Sequence, residues 1–195
     1  VYGDQKTLPL KETMKPNPMS PYALHKLVIE HYCKLFYELY GLKTVSLRYF
    51  NVYGPKQDPA GAYAILIPKF INLIQENQQP KIHGDGNQTR DFTYVDDVVS
   101  ANLAAVSSNN KKIFGEVFNI GTGSNTSVNK ITEKIIALLN SKIKPLNVDP
   151  VVEPKDTLAD ISKAKSILGW QPKTDIDQGL EKTISYFKSL KNNNP

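Results

Sequence analysis

The chain has 195 residues, 40% hydrophobic and 22% charged, a composition that suits a globular protein large enough to bury a core and excludes a disordered, collagenous or helical membrane-spanning chain. Its 24 basic and 19 acidic residues leave a net charge of +5, but no Lys/Arg-rich block is interleaved with aromatics, so no nucleic-acid surface is expected. A single cysteine, Cys33, excludes an internal disulfide framework and a Cys-rich zinc site, and fits a reducing, cytoplasmic compartment.

The first residues, Val1-Tyr-Gly-Asp4, read as the end of a strand, so the chain is expected to be the C-terminal part of a longer protein. Ser20-Pro21 predicts a helix start, with Ser as N-cap and Pro in the first position, and Gly41 predicts its stop. Between them Leu24, Leu27, Val28, Leu35 and Leu39 recur at helical spacing. Thr44–Phe50 reads as a buried strand, Asn51–Ala64 as a long loop, and Ile67–Glu76 as a helix. Two short strands follow, Lys81–His83 and Phe92–Val95, the first closed by the Gly84-Asp85-Gly86 turn. Asp96 or Asp97 is expected to cap a helix through Ala105. Glu116–Ile120 reads as a strand, Gly121–Gly123 as a turn, and Thr126/Ser127 as the caps of a helix to about Leu139. Ser162 opens a short helix stopped by Gly169, with Trp170 as a packing anchor after it. Asp175 caps the last helix, and residues 191–195 form a polar tail.

The fold class expected is α/β: the end of a doubly wound Rossmann-type sheet with parallel strands, carrying a small α+β lobe. Residues 1–55, with the helix 21–40, belong to the sheet domain. Residues 56–190 are mostly the lobe, with some segments returning to the sheet.

Tyr22 and Lys26 stand four residues apart near the helix start, which puts phenol and ammonium on one face. A fixed ammonium beside a phenol favours phenolate, and such a base can take a proton from a sugar hydroxyl. Tyr-x-x-x-Lys alone is a weak signal. His25 and His31 have no partners at metal-ligand spacing, so no metal site is expected.

The pair does not stand alone. VYG at 1–3, SPYALHK at 20–26, LRYFNVYGP at 47–55, RDFTYVDDV at 90–98, FNIGTG at 118–123 and LADISKAKSILGW at 158–170 occur in this order. Together they resemble the extended short-chain dehydrogenase/reductases, in particular the NAD-dependent nucleotide-sugar epimerases. The segment 54–70 is most similar to UDP-N-acetylglucosamine 4-epimerases of polysaccharide pathways.

The resemblance implies NAD as cofactor, a UDP-sugar as substrate and a homodimer as the full-length assembly. It implies Tyr22 as the base and Lys26 as its partner and ribose ligand, with Tyr49 near the nicotinamide. It implies Asn51 at the diphosphate–sugar end, Leu66 at the uridine site and His83 against the uracil. Arg90 is implied at the diphosphate, its guanidinium suiting bidentate contact; a surface pair with Asp91 or Asp96 is the plainer alternative. Thr157 is implied beside the sugar 2-substituent, where a small residue leaves room for an acetamido group.

Two departures stand out. No Gly-rich G-x-x-G-x-x-G turn occurs in the sequence, so tight NAD binding and turnover by this chain alone are not expected. The family's second diphosphate Arg falls on Pro150, leaving Lys155 as the nearest substitute. A nucleotide-sugar 4,6-dehydratase or decarboxylase of the same fold is the alternative enzyme. A non-catalytic dimerisation or binding module, using the helices at 21–40 and 96–106, is the alternative outside enzymes.

Overall fold

In the computed structural model, which describes residues 1–59, 66–151 and 153–193, the first helix forms as its capping residues dictate. Helix α1 spans Pro21–Tyr40; the Ser20 hydroxyl accepts from the Ala23 N–H at 3.1 Å, and Gly41 ends the helix at φ 68°. Strand β1 (Val45–Tyr49) follows, then β2 (Asn51–Tyr53), α2 (Leu66–Gln75), β3 (Lys81–His83), β4 (Thr89–Arg90) and β5 (Phe92–Tyr94). Helix α3 covers Val95–Ser107, a 3-10 turn Lys111–Ile113, β6 Glu116–Ile120, β7 Thr126–Ser127, α4 Val128–Leu138 and β8 Leu146–Val148. A π-helical turn (Ala164–Leu168) and α5 (Ile176–Asn193) complete the order.

The α/β class with parallel pairing is what the structure has. Strand β1 pairs parallel with β6, from Val45↔Glu116 to Tyr49↔Ile120, β2 with β5 and β3 with β8; among the described residues only the β4–β7 strand pair is antiparallel. Parallel neighbours need long crossovers, and 66 residues with the helices α2 and α3 and a 3-10 turn separate β1 from β6.

Apolar side chains gather in two clusters. One lies where β6 (Phe118, Ile120) meets α3 (Val98, Ala101), with Trp170 at 4% exposure as the anchor its position predicts. The other joins α2, α4 and α5 through Ile71, Ile131, Ile135, Leu180 and Ile184, with Tyr53 set among them. Ile131 and Ile135 continue the helical stripe that makes α4 amphipathic.

Several local expectations are corrected. Asn51–Tyr53 is a strand, not the start of a loop: Val and Tyr favour extended backbone, and β5 offers them a parallel edge. Residues 60–64 of that expected loop lie outside the described residues. Neither Asp96 nor Asp97 caps α3, which starts at Val95 with no side-chain cap. Asp97 is structural by another route: its carboxylate accepts from the N–H groups of Lys173 (2.9 Å) and Thr174 (3.0 Å). The helix before Gly169 is mostly of π form, and α5 runs through Asn193, so the polar tail begins later than expected.

Gly179 shows how tightly the second cluster is fitted. Gly→Ala inside a helix ordinarily stabilises by about 1 kcal/mol. Here a Cβ would fall 2.0 Å from Tyr53 Oη and 2.8 Å from its Cζ. The Tyr53 ring is 1% exposed and meets Phe92 and Tyr94 edge-on, so it has no room to retreat. Overpacking therefore wins, and Gly179→Ala is expected to destabilise by roughly 1–3 kcal/mol in a urea melt. An unchanged or raised midpoint would contradict the packing described.

Candidate active site

All the sequence-selected residues but Lys155 line one or other of two cavities that share Asn51. The first, of about 640 Å3, is lined by Leu66 and Phe70 of α2, His83 of β3, Arg90 of β4, and Asn51. The second, of about 630 Å3, is lined by Tyr22 and Lys26 of α1, Tyr49, Asn51 and Thr157. Leu66, His83 and Arg90 thus share one compartment, Tyr22, Lys26, Tyr49 and Thr157 the other, and Asn51 stands where they meet.

In the second cavity the helical spacing does what it predicts. Lys26 Nζ sits 5.3 Å from the centroid of the Tyr22 ring. Tyr22 is 55% exposed, so a ligand can reach its phenol. One turn further on the same face, Glu30 accepts from Arg48 Nε at 2.8 Å and Nη2 at 2.7 Å. The Arg48 guanidinium carbon lies 4.6 Å from the Tyr2 ring centroid, and the Tyr2 hydroxyl donates to Asn119 Oδ1 at 2.6 Å. Burial pushes the Tyr2 phenol above its ordinary value although Arg48 and Asn119 pull it down. For Arg48, burial works against the charged form, but the bonds to Glu30 and the proximity of Tyr2 more than offset it and raise the guanidinium further. This chain of contacts ties the Glu30 turn of α1 to β1 and β6.

The first cavity has a basic wall. Lys69, Lys81 and Arg90 line it against one carboxylate, Glu153. Such a balance suits an anionic ligand. The Arg90 guanidinium is only 11% exposed: Nη1 donates to the carbonyls of Thr89 and Lys155, both at 2.8 Å, and Nη2 pairs with Glu153 Oε1 at 2.9 Å. Neither Asp91 nor Asp96 is its partner. His83 Nδ1 lies 3.0 Å from the Asp149 carbonyl, which orients the imidazole at the cavity wall.

Two sequence expectations are placed differently. Lys155 lines neither cavity; its carbonyl supports Arg90, and its charge acts on Asp85. The Tyr49 hydroxyl donates to Asn102 Oδ1 of α3 at 2.9 Å, across the sheet from α1, so Tyr49 meets the second cavity through its main chain. Because Arg48 faces α1 while Tyr49 faces α3, those two helices flank opposite faces of β1 and do not make one continuous bundle face. Among the described residues no three His, Cys, Asp or Glu side chains gather as a metal site, and no helix is long and apolar enough to cross a membrane.

Sequence reasoning missed Asp91 and Arg48. Asp91 is wholly buried, and its carboxylate meets Thr122 at 2.7 Å, Gly123 at 3.0 Å and Ala159 at 3.2 Å. Burial raises its pKa, against the pull of those bonds. The Arg48–Glu30 pair had one readable signal: Glu30 continues the Tyr22–Lys26 face by four residues.

The family model described as the NAD dependent epimerase/dehydratase family matches residues 1–121. A protein of Methanocaldococcus jannaschii described as a putative UDP-glucose 4-epimerase is 44% identical over 195 residues, covering all of this chain and 61% of its own length. The UDP-glucose 4-epimerase of Thermotoga maritima, solved with UDP-glucose, superposes with a TM-score of 0.91 at 40% identity. It aligns with 97% of this chain and 60% of its own. The UDP-N-acetylglucosamine 4-epimerase of Methanobrevibacter ruminantium, solved with UDP-N-acetylmuramic acid, gives the same score, identity and coverage. The chain therefore spans about three-fifths of the length of these proteins.

Proposed function

Since the chain belongs to the NAD-dependent epimerase/dehydratase family, we propose that it is the catalytic-helix and substrate-binding part of a UDP-sugar 4-epimerase. The observation that carries the reading is Asn51, which lines both the basic, nucleotide-sized compartment and the cavity of the Tyr22–Lys26 pair. The UDP moiety lies in the first cavity, with Arg90 at its diphosphate and His83 at its base. The sugar crosses Asn51 and presents its 4-hydroxyl to Tyr22.

The residues present fit NAD at its nicotinamide end. The Tyr22–Lys26 face and the main chain of β1 wall an open space of about 630 Å3, and Lys26 is placed to meet a ribose hydroxyl. When bound, NAD supplies the acceptor and donor of hydride at C4. The chain supplies the rest. Tyr22 Oη takes the proton from the 4-hydroxyl and returns it to the 4-keto sugar after the sugar has turned over. Lys26 Nζ, 5.3 Å from the centre of the Tyr22 ring, is the cation beside that phenol. Arg90 holds the diphosphate while the hexose rotates, so the reacting end changes face without the substrate leaving.

Thr157 lines the second cavity, and a side chain this small beside the sugar 2-position is what a 2-acetamido group would need. We therefore assign UDP-GlcNAc/UDP-GalNAc as the substrate pair, with UDP-Glc/UDP-Gal also admitted, because a roomy pocket rejects a smaller ligand weakly. The same reading makes the full-length protein a cytoplasmic homodimer serving cell-surface polysaccharide synthesis.

The nucleotide compartment lies within this chain, so it is testable on the chain itself. UDP titrated calorimetrically is expected to bind, and Arg90→Ala to weaken it about 10- to 100-fold, the worth of a charge-assisted contact. Equal affinity in the two proteins would remove Arg90 from the diphosphate.

A further inference from the structure

One buried carboxylate takes no part in this chemistry. Asp91 stands between Arg90 and Phe92, both of which line the first cavity, and is itself fully buried. Its Oδ1 accepts from the main-chain N–H and the hydroxyl of Thr122, each at 2.7 Å. Its Oδ2 accepts from the N–H groups of Gly123 at 3.0 Å and Ala159 at 3.2 Å. Its carbonyl accepts from the Asn51 N–H at 3.0 Å, and its own N–H donates to Thr157 Oγ1 at 3.4 Å.

Asp91 therefore joins three segments far apart in sequence: the start of β2, the 121–123 turn and the 157–159 run. Two of them carry the residues at the sugar end, Asn51 and Thr157. The fit has no slack, since a Cβ on Gly121 would fall 2.9 Å from Asp91 Oδ2 and 2.6 Å from the Ala159 Cβ. All four partners of the carboxylate are donors. An amide in its place would turn an NH2 toward one donor pair or the other, so Asn is not a neutral replacement here.

We infer that the Asp91 carboxylate is a positioning group: by holding the 121–123 turn and the Ala159 N–H, two residues beyond Thr157, it fixes Thr157 relative to Asn51, which is bonded to the Asp91 main chain, and through that spacing the fit of the sugar at the Tyr22 end. The inference rests on the reading of the two cavities as one nucleotide-sugar site. The uridine wall is built from α2 and β3 and does not hang on the carboxylate, and the Arg90 guanidinium is held by Thr89, Lys155 and Glu153. Loosening Asp91 thus acts on the sugar end and leaves the nucleotide end in place.

The test is calorimetric titration of UDP and of UDP-GlcNAc into the wild-type chain, Asp91→Asn and Thr122→Val, with a thermal melt of each. Thr122→Val removes one hydroxyl donor and keeps the main-chain donors, so it reports even where Asp91→Asn does not fold. The Kd for UDP is expected to stay within about threefold, while the ratio of the UDP-GlcNAc and UDP constants moves about tenfold in Asp91→Asn and less, in the same direction, in Thr122→Val. An unchanged ratio would overturn the inference. So would a parallel weakening of both ligands that tracks the melting temperature, the mark of a purely structural residue. Failure of the wild-type chain to bind UDP overturns the site reading itself and the inference with it.

Discussion

A Tyr22→Phe variant of the complete enzyme is expected to lose roughly 10²- to 10⁴-fold in kcat, the usual worth of a positioned general base, while its affinity for UDP stays unchanged. The geometry separates the two readouts. Tyr22 lines the cavity that takes the sugar, not the one that holds Leu66, His83 and Arg90. Phenylalanine keeps the ring that lies 5.3 Å from Lys26 Nζ and deletes only the oxygen that carries the proton. The helix keeps its Ser20 cap and Gly41 stop, so no loss of fold confounds the rate. Lys26→Met removes the cation and leaves the phenol, and is expected to lower kcat while the affinity for UDP stays unchanged. Full activity in Tyr22→Phe would end the assignment of Tyr22 as the base.

Arg48→Ala carries the largest expected effect on stability. The side chains of Arg48 and Glu30 are only 9% and 12% exposed, and two short bonds join them. Removing the guanidinium strands the Glu30 carboxylate with little water, which costs about 3–5 kcal/mol. The pair itself contributes far less than that, because its desolvation cost offsets most of its attraction. Arg48→Met combined with Glu30→Leu should therefore recover most of what Arg48→Ala loses. Urea melts of the single and double variants decide the matter. A double variant as unstable as the single one, or a single variant within about 1 kcal/mol of wild type, contradicts a buried pair.

Much of this site is legible because local chemistry wrote it. The Ser20-Pro21 start and Gly41 stop delimit α1 to the residue, and four-residue spacing puts Tyr22 and Lys26 together without any tertiary knowledge. Long-range contacts are another matter. Asp91 looks like a surface partner for Arg90, and nothing near it in sequence announces that Thr122, Gly123 and Ala159 will close on its carboxylate. Lys155 is the nearest cation to Pro150 in sequence, yet the backbone turns its carbonyl, not its ammonium, toward Arg90. The two-residue strands β4 and β7 are too short to show any period, and they exist only because they pair with each other.

Helix α1 has no buried residue along its 20 positions. Leu24, Val28, Leu35 and Leu39 lie exposed on one side, and the contacts that hold it to the rest include the Glu30–Arg48 pair, the Thr44 bond to the Cys33 carbonyl and Tyr37 against Phe114. Elements with few buried contacts open at low free energy, independently of the global transition. In this chain by itself, α1 is therefore expected to exchange its amides faster than the α2–α4–α5 cluster. Anything that binds only its docked form steadies it by mass action, so a ligand in the Tyr22–Lys26 cavity is expected to slow that exchange.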